Sequence, residues 1–289
     1  MAPKRILNFY LPARKRAQIA AGEGIYALIA QAVAQTGWQI NLRDDAEPVS
    51  GEGHHLIYNR AVTEPHCLCL RRCYMTPFWR IESTNDRWNW DVANKTFPGG
   101  SGEEWFPNRW RPRLFGDLPI RSEGHIFMPL QGKLTEHRHF QSQSPVAMIA
   151  STLAADPARQ IIATLHPRET YTQCDLDALS RLGDRFQLSQ RPSIELLASC
   201  DYVVTQNSAM ALSGFFARKP AVLFARIDFH HIAGSVPHVG LQAAFDAIRN
   251  PTAFAPYLHW FFKQNAISAI DENAISQIQT RLRDHGWPI

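Results

Sequence analysis

Long hydrophobic runs are missing from this chain: nothing in its 289 residues approaches the roughly 18 consecutive apolar positions of a membrane span. The N-terminal MAPKRILNFYLPARKR is basic, but its apolar part is too short for a secretory leader and runs straight into a strand-like segment. A cytoplasmic location is the expectation. Cysteine is scarce. Cys67, Cys69, Cys73, Cys174 and Cys200 are five in number, odd and scattered, which excludes a disulfide framework and fits reduced thiols. A concentrated basic tract is absent too. Net charge is +4 beside twelve histidines, with Arg and Lys spread along the chain, so no nucleic-acid partner is expected. The balance suits an anionic small molecule or work near an anionic membrane surface. Repeats and low-complexity tracts are lacking, and the length suffices for two domains, each with its own core.

What is present is a stretch from Gln160 to Phe224 in which short Val- and Ile-rich runs end in polar residues before helical spacing begins. Ile161–Leu165 reads as a strand closing on His166-Pro167, and Tyr202–Thr205 as another closing on Gln206, Asn207 and Ser208. Gly124–Gln131 opens the series. Helices are predicted at Val146–Leu153, Asp175–Leu182, Ser193–Cys200 and Ala209–Ala217, with strands at Phe186–Ser189 and Ala221–Phe224. This is doubly wound α/β. In such a sheet, ligands sit beyond the carboxyl ends of the strands, so polar side chains there are candidates for binding.

Upstream, Ile6–Leu11, a helix over Ile19–Gln35 and Trp38–Leu42 form a strand, helix, strand unit, followed by strands at His54–Arg60 and His66–Tyr74. The glycines of Ala21–Gly24 either meet an anion at the helix start or allow close packing. Cys67, Cys69 and Cys73 share a parity, but Cys-x-Cys-x3-Cys lacks the paired knuckle of structural zinc, so core thiols are expected. Thr76–Phe115, dense in Trp, Arg and Pro, reads as a long connection whose aromatics either stack a ligand or hold the loop down. Leu241–Ile248 and Asn273–His285 read as terminal helices, with PTAFAPYLHWFFK as an aromatic connector. Residues 1–122 are assigned to an N-terminal acceptor-side domain and 123–289 to a C-terminal domain. Two such α/β halves with terminal helices have the outline of a GT-B glycosyltransferase, two Rossmann-type domains facing a cleft.

At the corners, Asn207 or Ser208 either caps the helix that follows or donates to a phosphate oxygen. Pro167 fixes the turn that holds His166 at the strand end, and Arg168 adds a guanidinium. His230-His231, after Asp228, either touches a ligand or packs a loop. Metal binding there is disfavoured because adjacent residues in extended chain point apart.

Pro129-Leu130-Gln131, Ser144-Pro145, His166-Pro167, Ser193-Ile194-Glu195-Leu196-Leu197, Cys200 through Thr205, Asn207-Ser208 and Lys219-Pro220 together resemble the capsule polysaccharide biosynthesis proteins, which include bacterial Kdo transferases. The corners are also similar to those of bacterial sialyltransferases. The resemblance covers about Gly124 to Phe224, a little over a third of the chain. It implies a GT-B fold, a CMP-activated acidic sugar as donor, no cofactor and no obligatory metal. It also implies that His166 contacts the CMP phosphate, that Asn207-Ser208 bind phosphate or the donor carboxylate, and that an acid beyond Gln131 takes part in the chemistry. The nearest acid is Glu136, where the family usually has Asp closer by. Ser213 stands where the family has Glu, which leaves nucleotide identity and turnover open.

Glycosyl transfer passes through an oxocarbenium-like state, so the site needs a carboxylate near the anomeric carbon and positive charge at the departing phosphate. The catalytic candidates are Glu136, Glu23 as general base or acceptor-positioning residue, and His166. The donor-binding candidates are Gln131, His166, Pro167, Arg168, Gln206, Asn207, Ser208, Ser213, His230 and His231, with no metal. Expected partners are a nucleotide sugar and a saccharide or glycolipid acceptor, with peripheral membrane association left open. The alternatives are a nucleotide-sugar-binding module without turnover and a nucleotide-sugar epimerase.

Overall fold

The structure, a computed structural model, describes residues 4–250 and 253–289. Met1–Pro3 of the basic N-terminus and Pro251-Thr252 of the aromatic connector lie outside the described residues. The chain divides into two compact units, Met1–Lys95 with Trp260–Ile289, and Thr96–His259.

The first unit is built on strands β1 (Ile6–Leu11), β2 (Gln39–Asp44), β3 (His54–Tyr58), β4 (Cys67–Arg72) and β5 (Phe78–Glu82), completed by β12 (Ile267–Ser268). Their order is β12-β5-β4-β3-β1-β2, with β1 to β4 parallel, β5 antiparallel to β4, and β12 antiparallel to β5 at the edge. In ILNFYL every residue after Ile6 is buried, and apart from Asn8 the run is apolar, as in a strand covered on both faces. The segment expected as one helix over 19–35 is two, Ala13–Ala20 and Gly24–Ala34, because Gly22 and Gly24 take positive φ between them. Ile25, Ile29 and Val33 of the second pack in one core with Ile278 and Leu282 of the C-terminal helix Ala274–Asp284. Trp287 beyond it stacks on Trp38, ring centres 5.9 Å apart.

The second unit has six parallel strands: β6 (His125–Pro129), β7 (Gln160–Thr164), β8 (Phe186–Leu188), β9 (Tyr202–Thr205), β10 (Ala221–Leu223) and β11 (Gly234–Ser235). Their order is β11-β10-β9-β6-β7-β8. The chain starts at β6, winds outward through β7 and β8, then crosses back to β9 and winds the other way, so the order reverses between β6 and β9. Both are buried throughout, as the Val- and Ile-rich runs require.

Two expectations are corrected. The boundary at 122/123 moves to 95/96, since the helix Trp105–Phe115 belongs to the second unit: Phe106 packs by Phe216 and His259, and Arg111 Nε donates to the Phe216 carbonyl at 2.7 Å. The C-terminal helix belongs to the first unit, where Ile278, Leu282 and Trp287 fill the core. Within Thr76–Phe115, moreover, β5 and that helix are regular elements. Around buried Trp90 the Arg-aromatic pattern is adhesive: Arg87 lies 5.2 Å from its ring centre and 3.9 Å from that of Tyr74. Cys67 and Cys69, both buried, pack with Tyr10 and Ile57 as core thiols.

Candidate active site at the strand ends of the second unit

The strand order reverses between β6 and β9, and in open α/β sheets ligands bind at such a point, beyond the carboxyl ends of the strands. Pro129 ends β6 and delivers Gln131, half-buried, to that edge; Thr205 ends β9 and delivers Gln206, Asn207 and Ser208. His166 follows β7, on the far side of β6. The His-Pro and Asn-Ser corners are therefore not on adjacent strands but flank the strand that carries Gln131. Cross-links hold the corners together: Thr205 Oγ1 donates to Pro129 O at 3.1 Å, and Leu130 N to Thr164 O at 2.9 Å.

His166, Pro167, Arg168 and Glu169 make a tight turn, closed by Glu169 N donating to His166 O at 3.1 Å. Arg168 N donates to His166 Nδ1 at 3.2 Å, so the neutral ring carries its proton on Nε2, a donor left for a ligand. His166 N donates to Tyr171 Oη at 2.7 Å, and burial lifts the Tyr171 pKa above its ordinary value. Thr172 then caps the next helix in a reciprocal box with Asp175. Burial opposes the Asp175 charge, yet hydrogen bonds from Thr172 and from the Thr135 and Leu134 N–H groups outweigh it and hold the carboxyl low. Asp175 thereby ties the loop after β6 to the turn after β7.

Ser208 caps the helix Ala209–Phe216, its Oγ accepting from Met210 N at 3.3 Å, and Ser213 is half-buried on that helix. Gln206, only 2 % exposed, turns inward, and its amide donates to Gln143 O at 3.0 Å. A short antiparallel bridge between Gln141 and Ala225 joins the loops after β6 and β10. Gln206 thus braces the loops, and Asn207 and Ser208 lie nearer solvent.

Of the two acids proposed from sequence, Glu136 is exposed and paired to Lys133 at 2.9 Å. Glu23 belongs to the first unit, exposed immediately before the helix Gly24–Ala34. A third acid was missed. A Cβ built on Gly132, next to Gln131, would lie 2.3 Å from Glu169 Oε2 and 3.2 Å from Glu169 Cβ. Gly132 has no positive φ, so it is close approach of Glu169 that calls for glycine there. Glu169 has no ion-pair or side-chain hydrogen-bond partner among the described residues. The signal was present in the sequence as the last residue of the His-Pro-Arg-Glu turn.

His230 and His231 do not point apart. Their rings stack at 4.3 Å, and His238 stacks on the other face of His230 at 4.1 Å. The chain turns here instead of extending, with Ala233 N donating to His230 O. His230 Nδ1 donates to Ile227 O at 2.8 Å, and burial lowers the pKa of His230 and of His238. The first unit has its own strand-order reversal, between β1 and β3. Sequence reading missed the group near it: Lys15 Nζ lies 2.5 Å from Tyr26 Oη and 3.7 Å from the Tyr58 ring centre, and burial raises the Tyr26 pKa.

Two mostly parallel, helix-flanked sheets define the GT-B glycosyltransferase fold. No protein-family model matches the chain, and no curated protein matches its sequence. Among solved structures, the chain is similar to the beta Kdo 2,7 transferase of Thermosulfurimonas dismutans KpsC, with a TM-score of 0.52 at 12% identity, covering 95% of this chain and 98% of that one. It also matches Methanocaldococcus jannaschii UDP-GlcNAc 2-epimerase in complex with UDP-GlcNAc and UDP, at 10% identity and a TM-score of 0.37, over 97% of this chain and 100% of that one. At such identities the likeness is one of fold. Among the described residues, no helix is long and apolar enough to cross a membrane.

Proposed function

We propose that this chain is a metal-independent glycosyltransferase that moves an acidic sugar from a nucleotide donor, CMP-linked, to a saccharide or glycolipid acceptor in surface polysaccharide or glycoconjugate synthesis. It would work in the cytoplasm or peripherally at the inner face of the membrane. The observation that carries this reading is the set of strand ends around the β6–β9 reversal, where Gln131, the His166 turn and Asn207-Ser208 gather on one edge.

In this reading the Nε2–H of His166 and the Arg168 guanidinium meet the phosphate, and their stabilisation grows as the phosphate departs. Asn207 and Ser208 bind phosphate or the donor carboxylate. Glu169 joins Glu136 as a candidate carboxylate for the oxocarbenium-like state, and the open carboxylate of Glu169 makes it the stronger of the two. Glu23 remains the candidate for positioning the acceptor.

The test is incubation with CMP-Kdo and a panel of other nucleotide sugars, following release of the nucleotide. Release slowed about 10²- to 10³-fold in His166→Ala is expected for loss of one donor to the developing charge. Glu169→Gln should slow release more than Glu136→Gln. Unchanged release in His166→Ala removes that corner from the site. Ser213, in place of a carboxylate, favours a second reading, a nucleotide-sugar-binding protein without turnover. Tight binding with no release would select it.

A further inference from the structure

The first unit holds a cavity of about 280 Å³ between β5, the turns after it and the C-terminal helix. Glu82 sits in its wall, 1% exposed, with Oε1 lacking a hydrogen-bond partner. A buried carboxylate oxygen with no donor is costly and points to a ligand that supplies positive charge. Ligand atoms of Glu82, Asp91 and His285 lie within 4.8 Å of one another. We infer that Glu82, Asp91 and His285 form a divalent-cation site that clamps the C-terminal helix to the edge of the first sheet.

The surroundings have the order that ligating groups need. His285 Nε2 lies 3.1 Å from Ile81 O, which places the proton on that nitrogen and leaves Nδ1 the lone pair a metal requires. Arg281 Nη2 contacts Glu82 Oε2 at 2.7 Å, and its Nη1 contacts Asp91 Oδ2 at 2.5 Å. The guanidinium thus takes one oxygen of each carboxylate, orients both and leaves the other oxygens for the ion. Arg281 is in turn fixed by Nε donating to Ile81 O at 2.8 Å. Two carboxylates and one imidazole suit Zn²⁺ or Mn²⁺ more than Ca²⁺, which takes oxygen ligands. Bonds of about 2.0–2.2 Å bring ligand atoms to about 3.3 Å from one another, so binding draws the three side chains closer together than they now stand. The cavity has room for the waters that complete the coordination. The role is structural and independent of the sugar chemistry.

The experiment is equilibrium dialysis of the full chain against Zn²⁺ and, separately, Mn²⁺, with metal content and melting temperature read together. One equivalent should bind and raise the melting temperature, and Glu82→Gln, Asp91→Asn and His285→Asn should each weaken binding by about tenfold or more. Asp91 is half-exposed, so Asp91→Asn keeps the test sound if Glu82→Gln folds poorly. Absence of binding by either ion at millimolar concentration overturns the proposal. So does binding that persists undiminished in Asp91→Asn and His285→Asn, which would place the ion on other side chains.

Discussion

A single methyl group is enough to probe the strand-end corners of the second unit. In Gly132→Ala the new Cβ competes with Glu169 for space, and because Glu169 is exposed its side chain swings away at little cost in stability. Nucleotide release should fall toward that of Glu169→Gln while the melting temperature barely moves. Full activity in Gly132→Ala beside a dead Glu169→Gln would separate the acid from its seat on the glycine. His54 offers a residue-scale test of stability. Burial first, then the neighbouring His66, lower its pKa from the ordinary 6.5 to about 4. Between those values the unfolded chain binds the proton and the folded chain does not, so stability is intact above pH 6.5 and is lost on acidification toward pH 4. The slope approaches roughly 1.4 kcal/mol per pH unit for one such group. Urea titrations at pH 7 and pH 5 should show the loss, and His54→Phe should flatten it.

At the scale of elements, the cap of the helix Ala209–Phe216 separates two jobs that one serine can do. Ser208→Ala should cost about 1 kcal/mol as a lost cap. Ser208→Asp keeps the cap, since Asp is as good there as Ser, but sets a negative charge where phosphate is proposed. A stable protein with weakened CMP binding by calorimetry is the expected outcome; unchanged binding would reduce Ser208 to its cap. Much of this edge was legible beforehand. Tyr202–Thr205 was read with its observed ends, and most neighbouring elements to within a residue or two, because buried parallel strands alternate with helices in plain periodicity. What could not be read was order across the sheet: hydrophobic runs do not say that β6 lies between β7 and β9. Glu169 and Gly132 escaped for the same reason, since their contact spans two strand ends. The His230 stack escaped because a turn, not a strand, carries it.

On the scale of the molecule, the division into units was the least legible feature, because Ile278, Leu282 and Trp287 show their amphipathic spacing without showing which core they enter. The second unit is contiguous and the first is not. A fragment of residues 96–259 should therefore unfold cooperatively by circular dichroism, whereas residues 1–95 alone should not. Trp287→Ala in the full chain, emptying a site stacked on Trp38, should cost about 3–5 kcal/mol. Equal cooperativity in both fragments would show that the final thirty residues are dispensable to the first core. Strand β12 carries the division into biosynthesis. Until Ile267 and Ser268 leave the ribosome, β5 has no partner along its outer border, and Ile81 has neither Arg281 nor His285 over its carbonyl. The nascent first unit must wait through translation of the whole second unit with that border uncovered, which makes it the stretch where a chaperone has most to protect.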